Sequence, residues 1–184
     1  TPVPATRANV ERAIATIDNL RAGGSTEIVP ALERIAALPK NPEVARTVIV
    51  VTDGYVTVEE RVFALVRKNL GNSNVFAFGI GHSVNRHLIE GIARAGKNEA
   101  FIVTKPEFAA QQAERLRKMI DSPVLTKLRV NFDGLDVYDV EPGMSGLPDV
   151  LGGRPVVLFG KWRAGTNGQA RGTMVLEGQA ASGA

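Results

Sequence analysis

Two residues hold most of the chemical promise of this chain, Asp53 and Thr26. Asp53 closes the run Thr47-Val-Ile-Val-Val-Thr52, and Gly54 follows it. Thr47 to Val51 are all β-branched, which predicts a strand buried on both faces, as in a parallel sheet. A carboxylate at the carboxyl end of such a strand stands where open α/β sheets bind metals and other ligands. Asp-Gly is also a common turn pair, so a plain turn is the alternative reading. Thr26 follows Gly23-Gly24-Ser25 and precedes an apolar helical pattern. The first reading of its hydroxyl, or of that of Ser25, is a helix N-cap.

Other constellations carry less. Gly79-Ile-Gly81-His-Ser-Val84 follows a strand and precedes a helix, as a dinucleotide-binding turn does, but it lacks the third glycine and lies late in its α/β unit. Gly143-Met-Ser145-Gly146 is not a Gly-x-Ser-x-Gly elbow, and no strand leads into it. His82 and His87 are spaced five apart, not the four that sets two imidazoles on one helical face for zinc. They read as surface or capping residues. Glu59-Glu60 most simply opens a helix, where negative charge suits the dipole. No nucleophile beside a base and no catalytic carboxylate pair is evident, so the chain is not expected to be an enzyme. The absence of cysteine excludes disulfides, thiolate zinc sites and a thiol nucleophile. The 22 basic and 19 acidic residues are scattered, so the excess of +3 reads as a solvated surface, and no nucleic-acid partner is expected. No apolar run is long enough to span a bilayer.

The elements that must position Thr26 and Asp53 follow from periodicity. Ala5 to Ala22 reads as a helix with Val10, Ile14, Ile17 and Leu20 on one buried stripe, started by Thr6 or Asn9 and stopped by Gly23-Gly24. Ile28 to Leu38 is a second helix, with Ile28, Ala31, Leu32 and Ile35 on one face and Pro30 in the first turn. After the strand at Thr47–Thr52 come a helix at Val58–Leu70, a strand at Asn74–Gly81 and a helix opened by Ser83-Val-Asn85 and stopped by Gly96. A strand at Glu99–Thr104 and a helix at Pro106–Ile120, with Phe108, Ala109, Leu116 and Met119 at helical spacing, complete the pattern. Strands alternating with helices predict a parallel, Rossmann-like sheet with right-handed crossovers.

Asp121-Ser-Pro123 marks a change of period, and two units are expected, 1–121 and 122–184. In the second unit Leu128, Val130 and Phe132 alternate before Asp133-Gly134, and Leu135, Val137 and Val140 follow it. This predicts a β-hairpin. Glu141 to Gly153 reads as a loop, Pro155–Trp162 and Thr173–Glu177 as strands, and Gly178–Ala184 as a frayed tail. Four short strands make a small antiparallel β unit that needs something to pack on, the α/β part or further chain.

Ala22-Gly-Gly-Ser-Thr-Glu-Ile-Val-Pro-Ala-Leu32, Val48 to Gly54, Val75-Phe-Ala-Phe-Gly-Ile-Gly81 and Leu88-Ile-Glu-Gly-Ile-Ala93 together resemble the von Willebrand factor type A domain. Ser122-Pro-Val-Leu125 and Leu147 to Gly160 resemble the β segment that follows this domain in bacterial proteins like the inter-alpha-trypsin inhibitor heavy chains. The resemblance implies a protein-binding or adhesion module with a metal-ion-dependent adhesion site, which holds Mg2+ and takes a carboxylate from an acidic residue of a partner. It carries over Thr26 and Asp53 as metal ligands. The family's Asp-x-Ser-x-Ser segment is absent from these 184 residues. Thr1 to Leu20 resembles the segment after the family's third strand, so the chain is expected to be the C-terminal portion of the domain, with an incomplete site and little or no metal of its own. The strand at 47–52 is then expected to be an exposed, apolar edge that pairs with another chain, as in a homo-oligomer, or with its own β tail, or is held by residues of a longer protein. An assembly segment without ligand function is the alternative reading. The resemblance also implies an extracytoplasmic location, secreted, periplasmic or surface-attached.

Overall fold

A computed structural model describes residues 3–21, 23, 26–39, 41, 44–54, 56, 58–70, 73–121, 125–144, 147–164 and 171–180. Two helices, α1 (Arg7–Asp18) and α2 (Ile28–Ala36), lead into β1 (Thr47–Thr52). Then follow α3 (Glu59–Asn69), β2 (Asn74–Ile80), α4 (Arg86–Ala95), β3 (Ala100–Val103), a 3₁₀ turn at Pro106–Phe108 and α5 (Ala109–Ile120). The three strands form a parallel sheet in the order β1-β2-β3, with Thr47 opposite Asn74, Thr52 opposite Gly79 and Ala77 opposite Ala100. The predicted parallel α/β fold is therefore present.

Period-two alternation divides the sheet's side chains between two cores. Val48, Val75 and Ala77 face Ile28 and Leu32 of α2, Val62, Phe63 and Val66 of α3, and Leu88, Ile89 and Ile92 of α4. Phe76, Phe78, Phe101 and Val103 face Leu116 and Met119 of α5. The Phe78 and Phe101 rings stack there with centroids 4.5 Å apart. β2 is buried on both faces up to Gly79.

β1 is not buried on both faces, contrary to its composition. Ile49 and Val51 are 45% and 58% exposed, because α5 covers the β2–β3 side of that face and nothing among the described residues covers β1. Its second edge has no partner among the described residues, and the strands beyond residue 121 pair with one another rather than with it. α1 forms with the predicted Thr6 cap, whose hydroxyl accepts from the Asn9 amide, but its apolar stripe is solvent-exposed and none of its residues is buried. Phe108 and Ala109, at helical spacing with the buried Leu116 and Met119, are exposed as well.

The end of α4 also differs from the sequence reading. Gly96 has φ −87°, and the left-handed residue is Lys97, at φ 60°. Lys97 donates its amide to the Arg94 carbonyl and Asn98 donates to that of Ala93, which is a Schellman cap. Gly96 serves packing instead: a Cβ there would stand 2.4 Å from Val75 Cβ.

Beyond residue 121 the predicted hairpin does not form. β4 (Leu125–Asp133) pairs antiparallel with β7 (Thr173–Ala180), and β5 (Asp136–Glu141) pairs with β6 (Phe159–Arg163), in two separate two-stranded sheets. Gly134, at φ 73°, makes the expected tight bend. The flank of Asp133 is taken by the returning chain: a Cβ on Gly172 would stand 2.3 Å from the Asp133 carbonyl oxygen. The bend therefore turns the chain away from β4 rather than back along it. Gly178 to Ala180, read as frayed, belong to β7, and 181–184 lie outside the described residues. The β unit does pack on the α/β part, since Leu151 is 3% exposed within the Phe76, Phe101 and Met119 core.

Candidate functional site

β1 delivers Asp53 to the carboxyl edge of the sheet. The Gly54 amide donates to Thr52 Oγ1 at 3.1 Å, so the chain bends as soon as the strand ends, and Asp53 is left exposed. Thr26 reaches the same place from the start of α2. The N-cap of α2 is Glu27, whose side chain makes no capping bond, so the N-cap reading of Thr26 is not met. Instead Thr26 Oγ1 lies 2.3 Å from where a Cβ on Gly54 would stand. Only a residue without a side chain allows that approach. Thr26 and the Asp53-Gly54 turn, separated by 27 positions of sequence, thus meet at one point of the surface. Ser25 and Gly24, also part of the Gly-Gly-Ser-Thr reading, lie outside the described residues.

A hydroxyl and a carboxylate are hard oxygen donors and suit magnesium, which takes roughly six oxygens in octahedral array and retains waters. The donor chemistry fits such an ion as two members of a larger set. Among the described residues no group of three or more His, Cys, Asp or Glu side chains comes together.

The other chemical candidates resolve into packing. A Cβ on Gly79 would stand 2.3 Å from Val84 Cγ1 and 2.9 Å from Ile89 Cγ1, so this glycine admits α4 onto β2 and does not face a phosphate. His82 and His87 are exposed, and His87 meets the Phe63 ring edge-on at 5.6 Å. Glu59 begins α3 as read, and it also accepts a 2.6 Å bond from Asn85 Nδ2, whose Oδ1 caps α4 through the Leu88 amide at 3.1 Å. Ser145 lies outside the described residues.

Sequence reasoning missed a polar network at the opposite, amino end of the sheet. Buried Asn74 donates to Asp149 Oδ2 at 2.8 Å and accepts from Asn98 Nδ2 at 3.3 Å. Arg154 donates to Asn98 Oδ1 at 2.6 Å and to the Lys97 carbonyl at 2.9 Å, while Glu99 pairs with Arg115 and lies 3.6 Å from Arg154 Nε. Burial pulls the Arg154 pKa below its ordinary value, against the opposing pull of Glu99. The only signal in the sequence was asparagine at the start of one strand and just before another.

A parallel sheet whose strands are joined through helices, with a hydroxyl and a carboxylate brought to its carboxyl edge by two loops, defines a Rossmann-like α/β domain. The model of the von Willebrand factor type A domain matches residues 2–100, more than half of the chain. The chain belongs to the von Willebrand factor type A domain family. A von Willebrand factor A domain-containing protein of Dictyostelium discoideum is 26% identical over 117 residues, 64% of this chain and 13% of that protein. A second from the same organism is 30% identical over 136 residues, 73% of this chain and 6% of that protein. Human von Willebrand factor A domain-containing protein 5A is 30% identical over 170 residues, 92% of this chain and 21% of that protein, so this likeness runs into the β unit. The chain spans a small part of the length of each of these relatives.

Proposed function

We propose that this chain is the C-terminal portion of a protein-binding or adhesion module in which Thr26 and Asp53 are two ligands of a divalent-metal adhesion site. The observation that carries the reading is the contact of Thr26 with the Asp53-Gly54 turn. When bound, a magnesium ion would offer an open coordination position to a carboxylate of the partner protein. This chain's own part is to hold a hydroxyl and a carboxylate at a fixed separation on two loops. β1 fixes one by its hydrogen bonds to β2, and the buried Ile28 and Leu32 of α2 fix the other. The remaining ligands, the family's Asp-x-Ser-x-Ser, would come from chain outside these 184 residues, in keeping with the far greater length of the relatives. The heavy-chain-like kind, its bacterial origin and an extracytoplasmic location are proposed on the resemblance of Ser122–Leu125 and Leu147–Gly160 alone. We read the module as non-catalytic. Isothermal calorimetry with Mg2+ on the 184-residue chain and on the full-length protein tests the site. The full-length protein is expected to bind and to lose binding on Asp53→Ala, and the short chain to bind weakly. Tight binding by the short chain that survives Asp53→Ala would overturn the proposal.

The edge of β1, without a partner among the described residues, favours a second reading, an assembly segment that adds a strand at 47–52. Ile49 and Val51 are exposed there, and no proline or charged side chain protects the strand. Light scattering across a concentration series decides it. Association abolished by Val51→Lys supports edge pairing, and a monomer at high concentration opposes it.

A further inference from the structure

Leu147 to Gly153 reads in sequence as part of a glycine- and proline-rich loop, and together with Arg154 it carries almost no regular structure. Its contacts are those of a core element. Leu151 is inserted among Phe76, Phe78, Phe101, Leu116 and Met119. Asp149 accepts from buried Asn74 at the start of β2 through one oxygen and from the Lys127 amide of β4, at 3.3 Å, through the other. Val150 exchanges backbone hydrogen bonds with Leu125, at 2.8 and 3.4 Å. The Gly152 amide donates to the Met119 carbonyl at the end of α5, and a Cβ at 152 would stand 2.8 Å from the Lys118 carbonyl oxygen. Arg154 closes the segment onto Asn98 and Lys97, beyond α4. One eight-residue stretch therefore touches β2, β4, α5 and the α4–β3 turn, with a buried side chain at its centre and a hydrogen-bonded polar side chain on either side.

We infer that Leu147–Arg154 is a clasp that joins the β unit and the base of the parallel sheet into one cooperative unit, so that the A-type domain of this chain extends to at least Arg154. That boundary lies beyond residue 100, where the family match ends, and beyond the change of period at 121. The clasp closes the second core: without Leu151, the Phe76 and Phe101 rings and Met119 lose a neighbour at the amino end of the sheet. The inference stands apart from the metal reading, because the clasp lies at the end of β2 remote from Thr26 and Asp53.

Native-state hydrogen exchange on the whole 184-residue chain, read by mass spectrometry, tests it. Leu151→Ala removes the inserted side chain, Gly152→Ala forces the clasp off the α5 carbonyl, and Arg154→Ala breaks the outer bonds. In all three, amide protection at residues 74–80 and 109–120 is expected to fall by roughly tenfold or more together with that of β4. Val157→Ser, at a 52% exposed position just outside the clasp, is expected to change neither. If Leu151→Ala proves too unstable to purify, Arg154→Ala and Gly152→Ala carry the test. Protection at 74–80 and 109–120 that stays at the wild-type level while β4 alone opens would overturn the inference, since the segment would then be a loop resting on an independent α/β domain.

Discussion

Replacing Gly54 with alanine asks whether Thr26 and Asp53 act as a pair. A Cβ at position 54 would stand 2.3 Å from Thr26 Oγ1, while ordinary contact begins at 3.4 Å, so the hydroxyl must retreat by about 1 Å. The obstructing atom ends an exposed side chain, and Gly54 is not among the glycines with positive φ. The backbone can accept alanine, and the fold should lose no more than about 0.5 kcal/mol. The proposed metal site would be far less tolerant. Magnesium holds its oxygens at about 2.0–2.1 Å in near-ideal octahedral geometry, so a donor displaced by ~1 Å is no longer a donor. Losing an orienting or ligating group weakens metal affinity by roughly 10–100-fold, or about 1.4–2.7 kcal/mol. Calorimetric titration of Mg2+ into protein containing the whole domain, with thermal unfolding in parallel, measures both quantities. Gly54→Ala should match Thr26→Ala in affinity at nearly unchanged melting temperature. The double variant should be no weaker than either single one, because the new methyl has nothing to displace once the hydroxyl is gone. Unchanged affinity in Gly54→Ala, or losses that add in the double variant, would refute the pairing.

Gly91→Ala should destabilise the fold even though alanine gains about 1 kcal/mol of helix propensity inside α4. Its Cβ would stand 2.1 Å from Phe63 Cζ, and overpacking a buried ring costs roughly 1–3 kcal/mol. Urea denaturation should show a net loss of up to ~2 kcal/mol, partly recovered by Phe63→Leu. Lys97→Gly should stabilise by about 1 kcal/mol in the same assay, since it relieves a left-handed conformation at φ 60°. Burial also holds the Lys97 pKa below 10.5 in the folded state. The folded form therefore releases this proton first, and stability from this group rises as pH climbs through the folded value toward 10.5. Lys97→Gly should flatten that rise in a denaturation series against pH.

The elements that the sequence revealed best were those whose partners lie close by in the chain. In α3 and α4, Val62, Phe63, Val66, Leu88, Ile89 and Ile92 repeat at helical spacing and pack on the neighbouring β2, so local period and tertiary burial agree. At Asp133-Gly134 the turn chemistry was sound, but it specifies a bend and not the strand that fills the edge, which came from Thr173–Ala180. Leu151 was hidden because a lone leucine between a proline and two glycines has no period to betray it. The site was legible only in part. Asp53 announces itself at the end of an apolar run. The role proposed for Thr26 depends on the close approach permitted by Gly54, and a glycine in an Asp-Gly pair looks the same whether it makes a turn or makes room.

α1 shows what a correct period leaves undecided. The helix has 12 residues, and isolated helices shorter than about 12–15 residues are marginal in water. Its local supports are small: the Thr6 cap is worth about 1 kcal/mol, and the exposed Arg7–Glu11 pair, at 2.8 Å, at most about 0.5 kcal/mol. Against them stands an ordering cost of roughly 1–2 kcal/mol for every residue fixed. In α4 the balance is met by burial, since Leu88, Ile89 and Ile92 are at most 1% exposed, whereas Val10, Ile14 and Ile17 of α1 are 45%, 53% and 66% exposed. α1 amides should therefore exchange at least roughly a hundredfold faster than those of α4 in dilute protein. If the stripe is covered when copies associate, protection of α1 will rise with concentration. Protection equal to that of α4 and independent of concentration would refute the argument, because it would require α1 to be held by contacts within this chain that the exposed stripe does not make.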